Sequence, residues 1–265
     1  MIPKIIHYCW FGGTDIPDKD KKCIDSWKKY CPDYKIIRWD ESNYDINKNA
    51  FMREAYEAKK WGFVPDFARL DIIYTYGGIY LDTDVEIIRS LDDLLKYDAY
   101  MGFENGKQVS PGLGIGAKKN MPIIKEIMDS IYGDKHFKLS EGEYDTTASP
   151  KYNTDFLLTK GLKQNNEIQN VCGLTILPTD YLCPMNFRTG ALNITQNTYS
   201  IHQFHASWHT DAEKKRIERG RKLKSLFGVR IGGGLEKIMN FPTNFRYHIR
   251  TKGFLGTLRH LIKKV

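Results

Sequence analysis

The sequence predicts an α/β layered fold followed by a basic, helical C-terminal extension. Segments rich in β-formers alternate with segments of helical spacing from Pro3 to Val85, the signature of a sheet covered by helices. The 265-residue chain is 41% hydrophobic, enough to bury the core of one large domain. Charge is unevenly spread: from Glu213 onward there are 15 Lys/Arg against 3 Glu, whereas residues 1–212 carry 25 basic and 29 acidic residues. The basicity therefore belongs to an appendage, and the boundaries read 1–212 for the α/β domain and 213–265 for the extension.

In chain order, "PKIIHYCWF" reads as the first strand, stopped by Gly12-Gly13. "IPDKDKKCIDSWKKYCPDY" places Ile24, Trp27 and Cys31 at helical spacing and stops at Pro32. "YKIIRWD" is a second strand, and "NAFMREAYEAKKWG" a helix closed by Gly62. "VPDFARLDIIYTYGG" is a helix with Pro65 at N1 and a glycine pair as its stop. "IYLDTDV" is the third strand. Further on, "DAYMGFEN" and "GLGIGAK" read as strands, "MPIIKEIMDSIYG" as a helix and "HFKLSEGEYDTTASPKY" as a long polar loop. "NTDFLLTKGLKQN" is a helix with Asn153 or Thr154 near its cap, and "GLTILP" and "YSIHQFHASW" are late strands.

The five cysteines are irregularly spaced with no CxxC, which argues against a disulfide framework or a zinc site and fits reduced, cytoplasmic thiols. The N-terminus does not read as a signal peptide, and no apolar run is long enough to span a membrane. The basic extension suits an anionic surface. No RNA- or DNA-binding motif accompanies it, so nucleic acid is not the expected partner.

The chemistry concentrates in "YGGIYLDTDVE". If the third strand runs through it, Asp82 and Asp84 share one face, two like charges at the end of a core strand. They could be turn acids, an acid/base pair or ligands to a divalent cation. Their place favours the cation, because ligands of open α/β sheets bind at the carboxyl ends of the strands. Mn²⁺ or Mg²⁺ would neutralise both acids while leaving positions for a diphosphate. In "HQFHASW", His202 or His205 could complete the shell.

The string "PDFARLDIIYTYGGIYLDTDVE" resembles the core signature of the family 32 glycosyltransferases. That group includes bacterial capsular and surface-polysaccharide glycosyltransferases and yeast Golgi mannosyltransferases, and the glucosylating clostridial toxins share a similar core. "IPKIIHYCWFGG" resembles the family's first strand and "IHQFHASW" its C-terminal motif, so the resemblance spans residues 1 to about 208. It implies a GT-A, Rossmann-like fold with a mixed sheet, a UDP-hexose donor, a divalent metal and transfer with retention. Asp82 and Asp84 are implied as the metal and diphosphate residues, and Asp66 and Arg69 as holding the donor sugar and diphosphate. Tyr80 is implied to pack on the nucleotide, Trp10 to stack on uracil, Ser207 to bind the donor and Trp208 to close over the diphosphate. The family's histidine lies about six residues before its Trp, which selects His202, although His205 is offset from the usual second position.

Asp155 is a candidate nucleophile or acceptor-binding residue; its ordinary role would be a helix-N-terminal charge. Front-face substitution needs no such carboxylate. The implied acceptor is a saccharide, polyprenyl-diphosphate-linked, at the inner face of the membrane. A toxin-like protein glycosyltransferase is one alternative, and a basic nucleic-acid-binding protein, of a different class, is the other. In the tail, Phe254, Leu255, Leu258, Leu261, Ile262 and Val265 fall on one helical face, and six Lys/Arg with no acid lie between Arg246 and Val265. This tail reads as a membrane-surface element.

Overall fold

The computed structural model describes residues 1–205 and 211–262, with side chains to residue 205 and from 212 to 240. The central strands are β1 (Ile5–Cys9), β2 (Lys35–Trp39) and β3 (Gly78–Tyr80), with β1 parallel to both neighbours. Helix α1 (Asp18–Tyr30) crosses between β1 and β2 and buries Cys23, Ile24 and Trp27, as its spacing requires. Trp27 is fully buried and its indole N–H donates to the Val85 carbonyl at 2.7 Å, which pins α1 to the segment after β3.

Helix α2 (Ala50–Glu57) is capped by the Asn49 side chain, which accepts from the Met52 N–H. It ends before Gly62, because Lys59 adopts φ +55° and turns the chain out of the helix. Helix α3 (Pro65–Tyr76) begins at Pro65 and ends at Gly77, φ +68°. Gly78 follows at φ +99°, and a β-carbon there would stand 2.8 Å from the Ile5 carbonyl oxygen. The glycine pair therefore lets the chain reverse from helix into a strand pressed against β1.

The remaining strands are β4 (Val85–Ile87), β5 (Ala99–Phe103), β6 (Val109–Ser110), β7 (Ile115–Ala117), β8 (Lys138–Ser140), β9 (Glu143–Tyr144), β10 (Gln169–Val171), β11 (Leu174–Leu177) and β12 (Ser200–His202). The main sheet runs β10-β11-β5-β7-β3-β1-β2, with β6 beside β5. β7 is antiparallel to both β3 and β5, so the sheet is mixed. Side chains alternate between two cores: Cys9, Tyr80 and Met101 face one layer, and Ile6, Ile79 and Tyr100 the other. Helices α4 (Pro122–Tyr132) and α5 (Ser149–Thr159) belong to the first layer; the short α6 (Thr179–Leu182) belongs to the second.

Two expectations are corrected here. The polar segment after α4 contains the β8–β9 hairpin, anchored by Glu54, which accepts from the Phe137 and Lys138 N–H groups at 2.9 Å. Helix α5 starts at Ser149, so Asn153 and Thr154 lie inside it rather than at its cap; Pro150 sits in the first turn, where its missing N–H costs nothing.

His7, in the middle of β1, is fully buried. Its Nδ1 lies 3.1 Å from the Trp39 indole nitrogen, a group that can only donate, so Nδ1 accepts. Nε2 then carries the proton and donates to the Gly77 carbonyl at 2.9 Å. Burial pushes the ring's pKa down to about 4, and His7 is a neutral structural link between β1, β2 and the glycine turn.

The chain divides into two compact units, Met1–Met185 with Leu192–Trp208, and Asn186–Ala191 with His209–Val265. The second unit is built on α7 (Asp211–Ile262). Its helical path reverses at Gly228, φ +74°. Arg219 donates to Asn240 at 2.6 Å and Lys224 pairs with Glu236 at 2.6 Å, contacts that a straight helix of this length would hold far apart. A β-carbon on Gly220 would strike the Glu236 carboxylate, and one on Gly232 the Leu223 carbonyl, so glycines allow the two arms to pack closely. Among the described residues no helix is long and apolar enough to cross a membrane.

Candidate active site

Strand β3 ends at Tyr80, earlier than the sequence pattern implies. Asp82 and Asp84 occupy the turn between β3 and β4, closed by the Val85 N–H donating to the Asp82 carbonyl at 3.1 Å. The two carboxylates thus converge through a turn and not through strand alternation. The Asp82 N–H donates to the Gly112 carbonyl at 3.1 Å, which ties this turn to the Pro111–Leu113 turn before β7.

Asp82 Oδ1 accepts from the Tyr80 hydroxyl at 3.0 Å and lies 3.3 Å from Arg69 Nη2. The same Nη2 lies 3.2 Å from Asp66 Oδ1, and the guanidinium stands over the Tyr80 ring. Asp66 and Arg69 meet because they are three residues apart on α3, whose first turn is buried. Burial pushes the Asp66 carboxyl up to about 7; Arg69 opposes this and Asp82 adds to it. Burial likewise raises Asp82 against the pull of Arg69.

Asp84 behaves oppositely. Burial alone would raise it, but His202 and the His205 N–H hold it well below the usual carboxylate range. His202 Nε2 is 3.2 Å from Asp84 Oδ1, and the His205 N–H donates to Oδ2 at 2.9 Å. Burial lowers His202, and Asp84 more than reverses that, so the imidazole is held well above its ordinary value. Arg69 faces one of the paired acids and His202 the other. One ligand atom each from Asp82, Asp84 and His202 lies within 4.8 Å of the others, a set of two carboxylate oxygens and one imidazole that suits a hard to borderline divalent cation.

The structure places the other sequence candidates as follows. The His205 ring is directed away from this cluster, with Nδ1 2.5 Å from Oδ1 of the fully buried Asp20. Tyr80 is buried beneath Asp82 and positions it, which leaves no ring face to pack on a nucleotide. Trp10 is half-buried just after β1, its indole N–H donating to the Thr14 carbonyl at 2.7 Å. Asp155 is about half exposed on α5 and pairs with Lys151 one turn back. Ser207 and Trp208 lie outside the described residues.

Two residues escaped sequence reasoning. Asp20 had no visible signal, since its partner is 185 positions away. Gly112 had a weak one in "SPGLGIG": a β-carbon there would collide with the Asp82 carboxylate and stand 3.2 Å from Arg69 Nη1.

A mixed α/β sheet thus carries two carboxylates and an imidazole beside a buried arginine, a set that could hold a divalent cation. Residues 17–101 match the family described as "Glycosyltransferase sugar-binding region containing DXD motif". It is 33% identical over 138 residues to inositol phosphoceramide mannosyltransferase 3 of Schizosaccharomyces pombe, covering 49% of this chain and 37% of the relative. It is 37% identical over 145 residues to mannosyl phosphorylinositol ceramide synthase SUR1 of Saccharomyces cerevisiae, covering 52% and 36%. The chain thus spans little more than a third of these relatives' length. Among solved structures, the PaToxG glycosyltransferase is similar at 22% identity and a TM-score of 0.47, covering 60% of this chain and 70% of that one.

Proposed function

We propose that the protein is a retaining glycosyltransferase that moves a hexose from a UDP-sugar to a saccharide acceptor. The observation that carries this reading is the convergence of Asp82, Asp84 and His202 beside Arg69, within the region that matches the DXD family. The mixed sheet supports the GT-A reading.

Asp82, Asp84 and His202 fit a Mn²⁺ or Mg²⁺ ion, which when bound supplies Lewis-acid stabilisation of a departing diphosphate. Arg69 fixes the Asp82 carboxylate and adds a permanent positive charge next to it. The His205 N–H fixes the far oxygen of Asp84. Trp10 stacks on the uracil in this reading, and Ser207 and Trp208 are assigned to the donor. Asp155 is half exposed and neutralised by Lys151, which supports front-face substitution over a double displacement through that carboxylate.

The acceptor in this reading is a lipid-linked oligosaccharide, polyprenyl-diphosphate-linked, in capsular or surface polysaccharide synthesis. The basic extension 213–265 brings the enzyme to an anionic membrane at its cytoplasmic face. The yeast relatives are named for mannosyl transfer to a ceramide lipid, which supports a lipid acceptor and makes mannose a candidate donor sugar.

Hydrolysis of a panel of UDP- and GDP-sugars with Mn²⁺, without acceptor, tests the reading. Turnover of one UDP-hexose, with an α-linked product by proton NMR once an acceptor is supplied, is expected. Preference for a GDP-sugar would overturn the uracil assignment, and a β-linked product would overturn retention.

A further inference from the structure

We propose that the reversal of α7, residues 226–231, is a membrane-inserting tip that seats the protein in an anionic bilayer. The proposal rests on the membrane reading above for its partner but assigns the contact to a different element from the terminal tail. Leu226, Phe227, Val229 and Ile231 are 66%, 51%, 45% and 65% exposed. Four large apolar side chains therefore face solvent within six consecutive residues, at the point where the helical path turns on Gly228. Exposed apolar groups are common singly; a cluster at the apex of a rigid hairpin is not. The arms behind it are braced by the Arg219–Asn240 and Lys224–Glu236 contacts and by close packing at Gly220 and Gly232. The apex is thus presented at the end of a braced element.

Charge selects the occupant. From Arg219 to Leu235 there are five basic residues and no acidic one, and Glu236 just beyond offsets Lys224. Lys222 and Arg230, both exposed, flank the apolar apex. A second copy of the chain would bring one net-positive apex against another. Nucleic acid would match the cations and leave the apolar cluster in water. An anionic bilayer satisfies both, with the apolar side chains at the acyl boundary and the basic ones among the headgroups.

The test uses the full-length protein and sedimenting vesicles of phosphatidylcholine, with and without phosphatidylglycerol, at about 0.1 M salt. The chain should bind the anionic vesicles, and binding should weaken at least about tenfold in the combined Leu226→Ser, Phe227→Ser, Ile231→Ser variant. Ile168→Ser, an exposed apolar position in the other unit, should leave binding unchanged. Phe227→Trp should gain fluorescence that lipid with brominated acyl chains quenches, a signal that a merely structural role of the apex would not give. UDP binding with Mn²⁺ in each variant reports that the catalytic unit is intact. If wild type binds anionic vesicles and the triple variant binds equally, the apex assignment is overturned while the membrane reading stands. If wild type ignores anionic vesicles, both fall. A concentration-dependent dimer that the triple variant abolishes, without vesicle binding, would replace the bilayer by a second copy.

Discussion

Arg69 Nη2 stands 3.3 Å from Oδ1 of Asp82, with both groups in a site whose arginine is only 6% exposed. The same nitrogen holds Asp66 at 3.2 Å, so one guanidinium compensates the buried Asp66 and the partly exposed Asp82. Removing it leaves both acids uncompensated. Arg69→Ala should destabilise the protein by about 3–5 kcal/mol in urea unfolding. Adding Asp66→Leu should recover part of that loss, because it deletes one of the stranded charges. Arg69→Lys should also lose donor affinity, since a single ammonium does not reproduce the planar fork. A fully stable Arg69→Ala protein would remove Arg69 from its place at the centre of the charge arrangement.

Gly112 makes a cleaner probe of the site, because a side chain there meets the Asp82 carboxylate directly. Gly112→Ala should reduce Mn²⁺-dependent UDP affinity by about tenfold or more, since small displacements of positioned ligands are costly. The loss in thermal stability should be small. Calorimetric titration beside a melting curve separates the two. A large drop in melting temperature with intact affinity would mean that Gly112 serves only the fold.

Much of this arrangement is written locally. The first strand, the Pro65 start of α3, the Gly77-Gly78 stop and the spacing of Asp66 and Arg69 are all readable within about fifteen residues, because capping and periodicity are local physics. The sequence pattern brings Asp82 and Asp84 together by strand alternation, whereas the strand stops at Tyr80 and a turn brings them together. The pairing of His205 with Asp20 spans 185 positions and has no local signature. The same holds for the β8–β9 hairpin, whose strands are short and exposed, and for the reversal of α7, which turns at Gly228 and not at the nearby Gly232–Gly234 run.

The two histidines should separate experimentally. His202 is the one brought to Asp82 and Asp84, so His202→Ala should weaken Mn²⁺ binding by about 10–100-fold. His205→Ala leaves buried Asp20 without its ring partner and should cost about 1–3 kcal/mol of stability, with a smaller effect on the metal. Titration and urea unfolding of both variants decide it; the opposite ranking in metal affinity would exchange their roles.

His7 sets a pH dependence. In the fold it stays neutral down to about pH 4, whereas the unfolded chain takes up its proton near the ordinary value of 6.5. Between those values the unfolded state binds more protons, so stability falls as pH falls, and above about 6.5 the group contributes no slope. From pH 7 to pH 5 this amounts to roughly 2 kcal/mol. His7→Gln should be less stable at pH 7, because it disturbs the Trp39 and Gly77 contacts, but its stability should fall less steeply over this interval. Urea unfolding at the two pH values measures this; parallel losses in both proteins would remove His7 as the cause.

The central claim is that Asp82 and Asp84 create a cation-dependent site for a nucleoside diphosphate. Calorimetric titration of UDP into the full chain, with Mn²⁺ and then with EDTA, tests it most directly. UDP should bind with Mn²⁺, and that binding should be lost in EDTA and equally lost with Mn²⁺ in folded Asp82→Asn and Asp84→Asn proteins. Equal UDP affinity in EDTA, or full affinity in both asparagine variants, would contradict it.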